Sequence, residues 1–267
     1  MLRLIGAFLA RDFQVEVSYR ISFLLNLSSV FFSSFTYYFV SRLFGDNVAP
    51  VLQQYGGDYF AFVVIGVAFG SYFNLGLSGF ARALRQAQTT GTLEAMMMTP
   101  TPVSSIVLGS AAWSYAFTTF RVVIYLVLGV LLGMELEGAN HLGAIVTLLI
   151  AVVAFASIGI IAASVIMIIK RGDPVTALFN GFAVLVGGVF YPIEIMPGWL
   201  QAIARLLPIT YALHAVRLAL LNGASWSELA PDLLVLTAFA VVLFPLSLFV
   251  FRYAVEHARR DGSLAHY

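Results

Sequence analysis

The sequence contains no cysteine, so neither a disulfide framework nor thiolate chemistry is open to it. Charge is equally scarce. Only 10% of its 267 residues are charged and 61% are hydrophobic, against about 25% charged in ordinary soluble domains. A soluble chain so poor in charge could not cover its own surface with polar groups. A bilayer removes that requirement, because lipid solvates an apolar exterior. Lysine occurs once, as Lys170 between Ile169 and Arg171. A P-loop needs a glycine-rich turn ending in Gly-Lys-Ser/Thr to hold nucleotide phosphates; none can be built here, so the chain supplies no ATPase of its own. The net charge is +1 and the basic residues are scattered, without the basic, aromatic-interleaved face of a nucleic-acid binder. His141, His214, His257 and His266 stand apart and suggest no metal site.

What fills the sequence instead is apolar runs. A helix crossing a bilayer needs about 20 mostly apolar residues. On that criterion the predicted spans are 21–44, 59–80, 103–133, 142–169, 175–191 and 229–251. The expected fold is therefore an all-α polytopic membrane protein with six transmembrane helices and one transmembrane domain over 1–267. Arg11, Asp12 and Glu16 interrupt the first apolar stretch, which argues against a signal peptide. Residues 1–20 read as an amphipathic helix lying in the interface, with Leu4, Phe8, Val15 and Tyr19 on its apolar face; the alternative is a plain extension of the first span.

Orientation follows the Lys/Arg bias of the loops. With both termini in the cytoplasm, Arg3, Arg11, Arg20, Arg82, Arg85, Lys170, Arg171, Arg252, Arg259 and Arg260 lie inside, and only Arg42, Arg205 and Arg217 lie outside. The expected location is a plasma or inner membrane, crossed several times.

Two segments depart from plain spans. The first, 82–102, contains Gly-Thr-Leu-Glu-Ala-Met-Met-Met-Thr-Pro from Gly91. Gly91 can cap a short helix with Glu94 near its positive end, and Thr99-Pro100 stops it. Its methionines suit an adaptable contact, either with a partner's groove or with its own bundle. The second, 192–228, carries Pro192, Pro197 and Pro208. It is too broken to span simply and suits two short helices in a re-entrant or outer hairpin, with Trp199 and Tyr211 in the aromatic belt.

Both segments resemble the permease subunits of ABC type-2 exporters. The Gly91 segment is similar to that family's coupling helix, and Pro192, Pro197, Trp199, Leu200, Pro208, Tyr211 and Arg217 match its signature before the last span. The resemblance implies a non-enzymatic transport subunit working with a separate ABC nucleotide-binding ATPase, which would bind ATP and Mg; this chain would bind no cofactor. It implies a second permease copy, identical or related. It implies that Gly91, Thr92, Leu93, Glu94, Met97, Thr99 and Pro100 couple to the ATPase, while Pro192, Pro197, Trp199, Pro208, Tyr211 and Arg217 form an outer hairpin or gate. The cargo would be hydrophobic or amphipathic: a drug-like molecule, a lipid or a lipid-linked glycan.

Arg121 is the one basic residue deep in a predicted span. Such a charge costs at least a few kcal/mol unless it is paired or hydrated. It reads either as a pathway residue, together with aromatics such as Phe35 and Tyr38, or as a structural donor to Asn74, a serine or backbone carbonyls, or as part of a helix whose cytoplasmic end extends out of the bilayer. The alternative function, a secondary transporter or channel without an ATPase, calls for intramembrane carboxylates. Every Asp and Glu is read here as belonging to a loop, a terminus or the outer hairpin, which argues against it.

Overall fold

A computed structural model describes residues 2–44, 50–89, 103–169 and 173–260. No strand occurs among them. The α-helices are α1 (Leu2–Ser18), α2 (Arg20–Phe44), α3 (Tyr59–Thr89), α4 (Val103–Leu131), α5 (His141–Ile169), α6 (Asp173–Val186), α7 (Gly198–Ala204), α8 (Pro208–Leu221) and α9 (Trp226–Arg260), with short 3₁₀ turns at Pro50–Tyr55 and Ile193–Ile195. Five of these helices are long and apolar enough to cross a membrane, and a sixth crossing is available if α7 and α8, bent by 88°, count as one broken span.

The helices form where the sequence is apolar and stop where it supplies caps. Asp58 accepts from the amides of Phe60 and Ala61 at 2.8 and 3.2 Å and so caps α3. The Glu228 carboxylate holds the start of α9 by accepting from both the Ser225 amide at 2.7 Å and the Ser225 hydroxyl at 2.8 Å. Asn140 caps α5 through the Gly143 amide at 2.8 Å. Helix α2 is rich in serine yet suited to lipid, because Ser28, Ser29, Ser33, Thr36 and Ser41 donate back to carbonyls one turn earlier. No hydroxyl among these five is left bare to hydrocarbon.

Two boundaries differ from expectation. The polar stretch after residue 80 continues α3 to Thr89, so the start of the 82–102 segment belongs to the same rod. The stretch 175–191 does not make one span: α6 ends at Val186 after 14 residues, about 21 Å of helix, and Gly188 then turns the chain with φ of +83°.

Helices α3, α5 and α8 hold most of the core. Phe62, Ile65 and Phe73 of α3 and Ile209, Leu213 and Val216 of α8 are fully buried. Helix α3 crosses α5 with main chain against main chain: a Cβ on Gly159 would collide with the Gly76 carbonyl, and one on Gly76 would meet Phe155 at 2.6 Å. Small residues permit this close approach where lipid offers no hydrophobic drive for helix association. Helix α1 packs on the start of α4, with Phe8 buried against Gly109 and Phe13 edge-on to Trp113. Tyr19, expected on the apolar face of α1, is 68% exposed, because the chain breaks there before α2 begins.

Candidate functional site

At the end of the bundle farthest from α1, the broken segment after α6 folds over the start of α3. Its anchor is Arg217 of α8. The side chain is 3% exposed, and no carboxylate among the described residues forms an ion pair with it. Its Nε donates to the Phe62 carbonyl at 3.1 Å, Nη1 to Gly188 at 2.7 Å and Nη2 to Val189 at 2.8 Å, while the guanidinium lies 3.4 Å from the centroid of the Phe62 ring. Carbonyl dipoles and the ring face thus solvate a cation that would otherwise be costly to bury. A fixed planar fork suits this task, since one group bonds two separate elements at once. Gly66 makes the room: a Cβ there would collide with the Val189 carbonyl and with Nη2 of Arg217.

The remaining signature residues have distinct jobs. Pro208 begins α8 at the position where a missing N–H costs nothing. Thr210 donates to the Ala204 carbonyl at 2.7 Å and Tyr211 to the Arg205 carbonyl at 2.9 Å. These two bonds satisfy the open end of α7 and fix the 88° bend. Pro197 precedes α7 as its N-cap residue. Pro192 is buried, whereas Trp199 is 68% exposed beside exposed Ile195 and Leu206.

Around this anchor lies a cavity of about 260 Å³, lined by Pro192, Glu194, Arg205, Tyr211, His214, Arg217, Asp232 and Tyr55 among others. Asp232 and His214 meet at 2.6 Å between carboxylate Oδ2 and ring Nδ1. Tyr55 comes from the 50–55 turn, edge-on to Phe62 and His214. Burial, and secondarily the Glu194 carboxylate, push its hydroxyl well above the usual tyrosine range, so it stays protonated. Asn222 ties α8 to that turn through the Gln54 carbonyl at 2.7 Å, and Asn140 ties the 132–140 loop to Ala224 at 2.8 Å.

Of the hairpin residues singled out in the sequence, Pro192, Tyr211 and Arg217 come together at this cavity, and Pro208 positions the helix that carries two of them. Nothing in the residue pattern marked Tyr55, His214 or Asp232 as parts of it. Only Gly66, a glycine inside an apolar helix, carried a usable signal of close backbone approach. Asp232 corrects the reading that all acidic residues lie outside the spans: it is buried within α9, in a stretch apolar enough to cross. Its carboxylate meets the His214 ring.

Arg121, Phe35 and Tyr38 are not brought together. Tyr38 is packed edge-on to Phe60 and carries Arg42 at its hydroxyl, 2.9 Å away, while Phe35 is exposed. Arg121 lies one turn from both Phe117, which packs on Phe23, and Tyr125, which bonds Ser33 at 2.8 Å, so it faces the α2–α4 seam. Its Nε is buried with no hydrogen-bond partner among the described residues. Gly91, Thr92, Leu93, Glu94, Met97, Thr99 and Pro100 lie outside the described residues.

Among the described residues, no group of three His, Asp or Glu gathers as a metal site would require. The family model for the ABC-2 type transporter matches residues 3–221. No curated protein matches the chain.

Proposed function

Since this chain belongs to the ABC-2 type transporter family, as a membrane-embedded permease component, we propose that it is the transmembrane subunit of an ATP-driven exporter. A separate nucleotide-binding ATPase supplies the energy, and a second permease copy completes the path. The cargo is hydrophobic or amphipathic, taken from the cytoplasm or inner leaflet and released outward. Both termini face the cytoplasm, so the Arg217 end of the bundle faces outward.

One relationship supports this reading most. Helix α3 runs for 31 residues, about 46 Å. Its first turn is held by Arg217 through the Phe62 carbonyl, and its last residue, Thr89, leads within two residues into the Gly91–Pro100 sequence. A push delivered at that sequence from the cytosol travels along one rigid rod to the hairpin. In this reading the ATPase grips Leu93, Glu94 and Met97, the rod tilts, and the hairpin gate opens. Arg121, with an unpartnered N–H facing a seam between α2 and α4, is the residue best suited to meet polar cargo within the span.

The alternative of a secondary transporter or channel draws less support. Its one candidate carboxylate, Asp232, is already paired at the far end of the bundle. The test is co-purification and transport. The tagged permease should bring down a P-loop ATPase, and vesicles holding both should move cargo only with ATP. Cargo movement by the purified permease alone would overturn the proposal.

A further inference from the structure

The cavity beside Arg217 contains more polar capacity than the hairpin consumes. Tyr55 is 3% exposed, and its hydroxyl has no hydrogen-bond partner among the described residues. Arg217 uses three of its five N–H donors on carbonyls. His214 spends Nδ1 on Asp232, and its second ring nitrogen has no partner among the described residues. Glu194 and Arg205 line the same space, are exposed, and make no ion pair among the described residues. The joint does not consume these groups, and they remain available to a molecule in the cavity.

The sign of these charges selects the ligand. Glu194 and Asp232 are acidic, and Arg205 and Arg217 are basic. A simple anion would meet the Glu194 carboxylate and a simple cation the Arg205 guanidinium, since Asp232 is held by His214 and Arg217 by carbonyls. A molecule carrying both signs meets neither penalty, with its ammonium toward Glu194 and its phosphate toward Arg205. The volume, about 260 Å³, is below the range of about 300–1,000 Å³ that holds drug-sized ligands, so a headgroup fits and a whole amphiphile does not. Ile195 and Leu206, next in sequence to the lining residues Glu194 and Arg205, are 57 and 72% exposed, and Trp199 of the same hairpin is 68% exposed. They form an apolar shelf on which acyl chains can lie, with a tryptophan of the kind that anchors proteins at a lipid interface.

We infer that this cavity binds the headgroup of a zwitterionic phospholipid bearing a primary amine, drawn from the leaflet that surrounds the hairpin. A primary ammonium offers three donors to Glu194 and its neighbours, whereas a quaternary ammonium offers none. The inference does not depend on the direction of transport or on the ATPase partner.

The experiment is native mass spectrometry of the full chain in detergent, titrated with phosphatidylethanolamine, phosphatidylcholine and phosphatidylglycerol of identical acyl chains. Phosphatidylethanolamine should be retained about 10-fold better than the other two, as one charge-assisted hydrogen bond predicts. Glu194→Gln and Arg205→Gln are exposed changes that leave the anchor intact, and each should bring that preference down to about 2-fold or less. Tyr55→Phe should reduce it as well, with helical content unchanged by circular dichroism. Equal retention of all three lipids, or unchanged selectivity in Glu194→Gln and Arg205→Gln, would overturn the inference. So would displacement of the lipid by equimolar glycerophosphoethanolamine, which would mark the site as one for a soluble zwitterion.

Discussion

Arg217 both donates to the carbonyl of Phe62 and stacks on the ring of that same residue, at 3.1 Å and 3.4 Å. The pair binds α8 to the first turn of α3, and the two carbonyls beyond α6 complete the hold. Arg217→Lys keeps a charge but gives up the planar fork, and one ammonium cannot cover three acceptors on separate elements. The expected loss is about 2–3 kcal/mol, read as a lower unfolding midpoint by intrinsic tryptophan fluorescence in detergent. An unchanged midpoint would show that the carbonyls find other donors.

Gly66→Ala attacks the same joint from the other side. Its methyl group meets a backbone oxygen and the guanidinium, neither of which is the loose end of a flexible chain. Overpacking of this kind costs about 1–3 kcal/mol. Because the two sites share one contact, Gly66→Ala combined with Arg217→Leu should destabilise by less than the sum of the single changes. Full additivity would separate the two residues energetically.

At the helix crossing, Gly159→Ala sets propensity against contact. Alanine in a helix gains about 0.5–1 kcal/mol over glycine, but here the methyl would drive into the Gly76 main chain, at about 1–3 kcal/mol. Net destabilisation is expected. Gly181→Ala, with open space around it, should show the propensity gain alone. The comparison of the two midpoints checks the sign.

Replacing Arg121 by Met removes a buried N–H that has no partner. Insertion and thermal stability should hold or improve slightly, since nothing is left unsatisfied. Export should fall if the residue meets cargo. Wild-type export from normally inserted Arg121→Met would remove the pathway role.

For the segment from Gly91, Glu94→Ala and Leu93→Ser should separate ATP hydrolysis from transport while leaving the permease in the membrane. Hydrolysis per transported molecule should rise by about 5-fold or more if the change costs about 1 kcal/mol of coupling. A wild-type ratio in both variants would dismiss the coupling assignment.

Much of this architecture is legible from hydropathy alone, because the bilayer permits few backbone solutions. The expected span 142–169 differs from α5 by one residue at its start, since no Asp, Glu, Lys or Arg lies between Asn140 and Lys170. The stretch 175–191 misled for the same reason: glycines 187 and 188 stand in apolar company, and their break shows only in a φ of +83° at Gly188. The proline-marked hairpin could be read locally, because each proline acts on its own helix end. The cavity could not. It joins Tyr55, His214 and Asp232 from three separate elements, and no spacing in the sequence encodes how a bent pair of helices folds back over α3. Arg217 was visible as a signature residue, but not that carbonyls rather than a carboxylate would hold it.

The meeting of Gly76 and Gly159 sets backbone on backbone, flanked by Phe155, between two helices that have little freedom to slide past each other. They share a fulcrum. A tilt imposed on the lower arm of α3, below that point, is returned at the upper arm with its direction reversed, and α5 must yield with it, so an inward squeeze at one membrane face becomes an outward spread at the other.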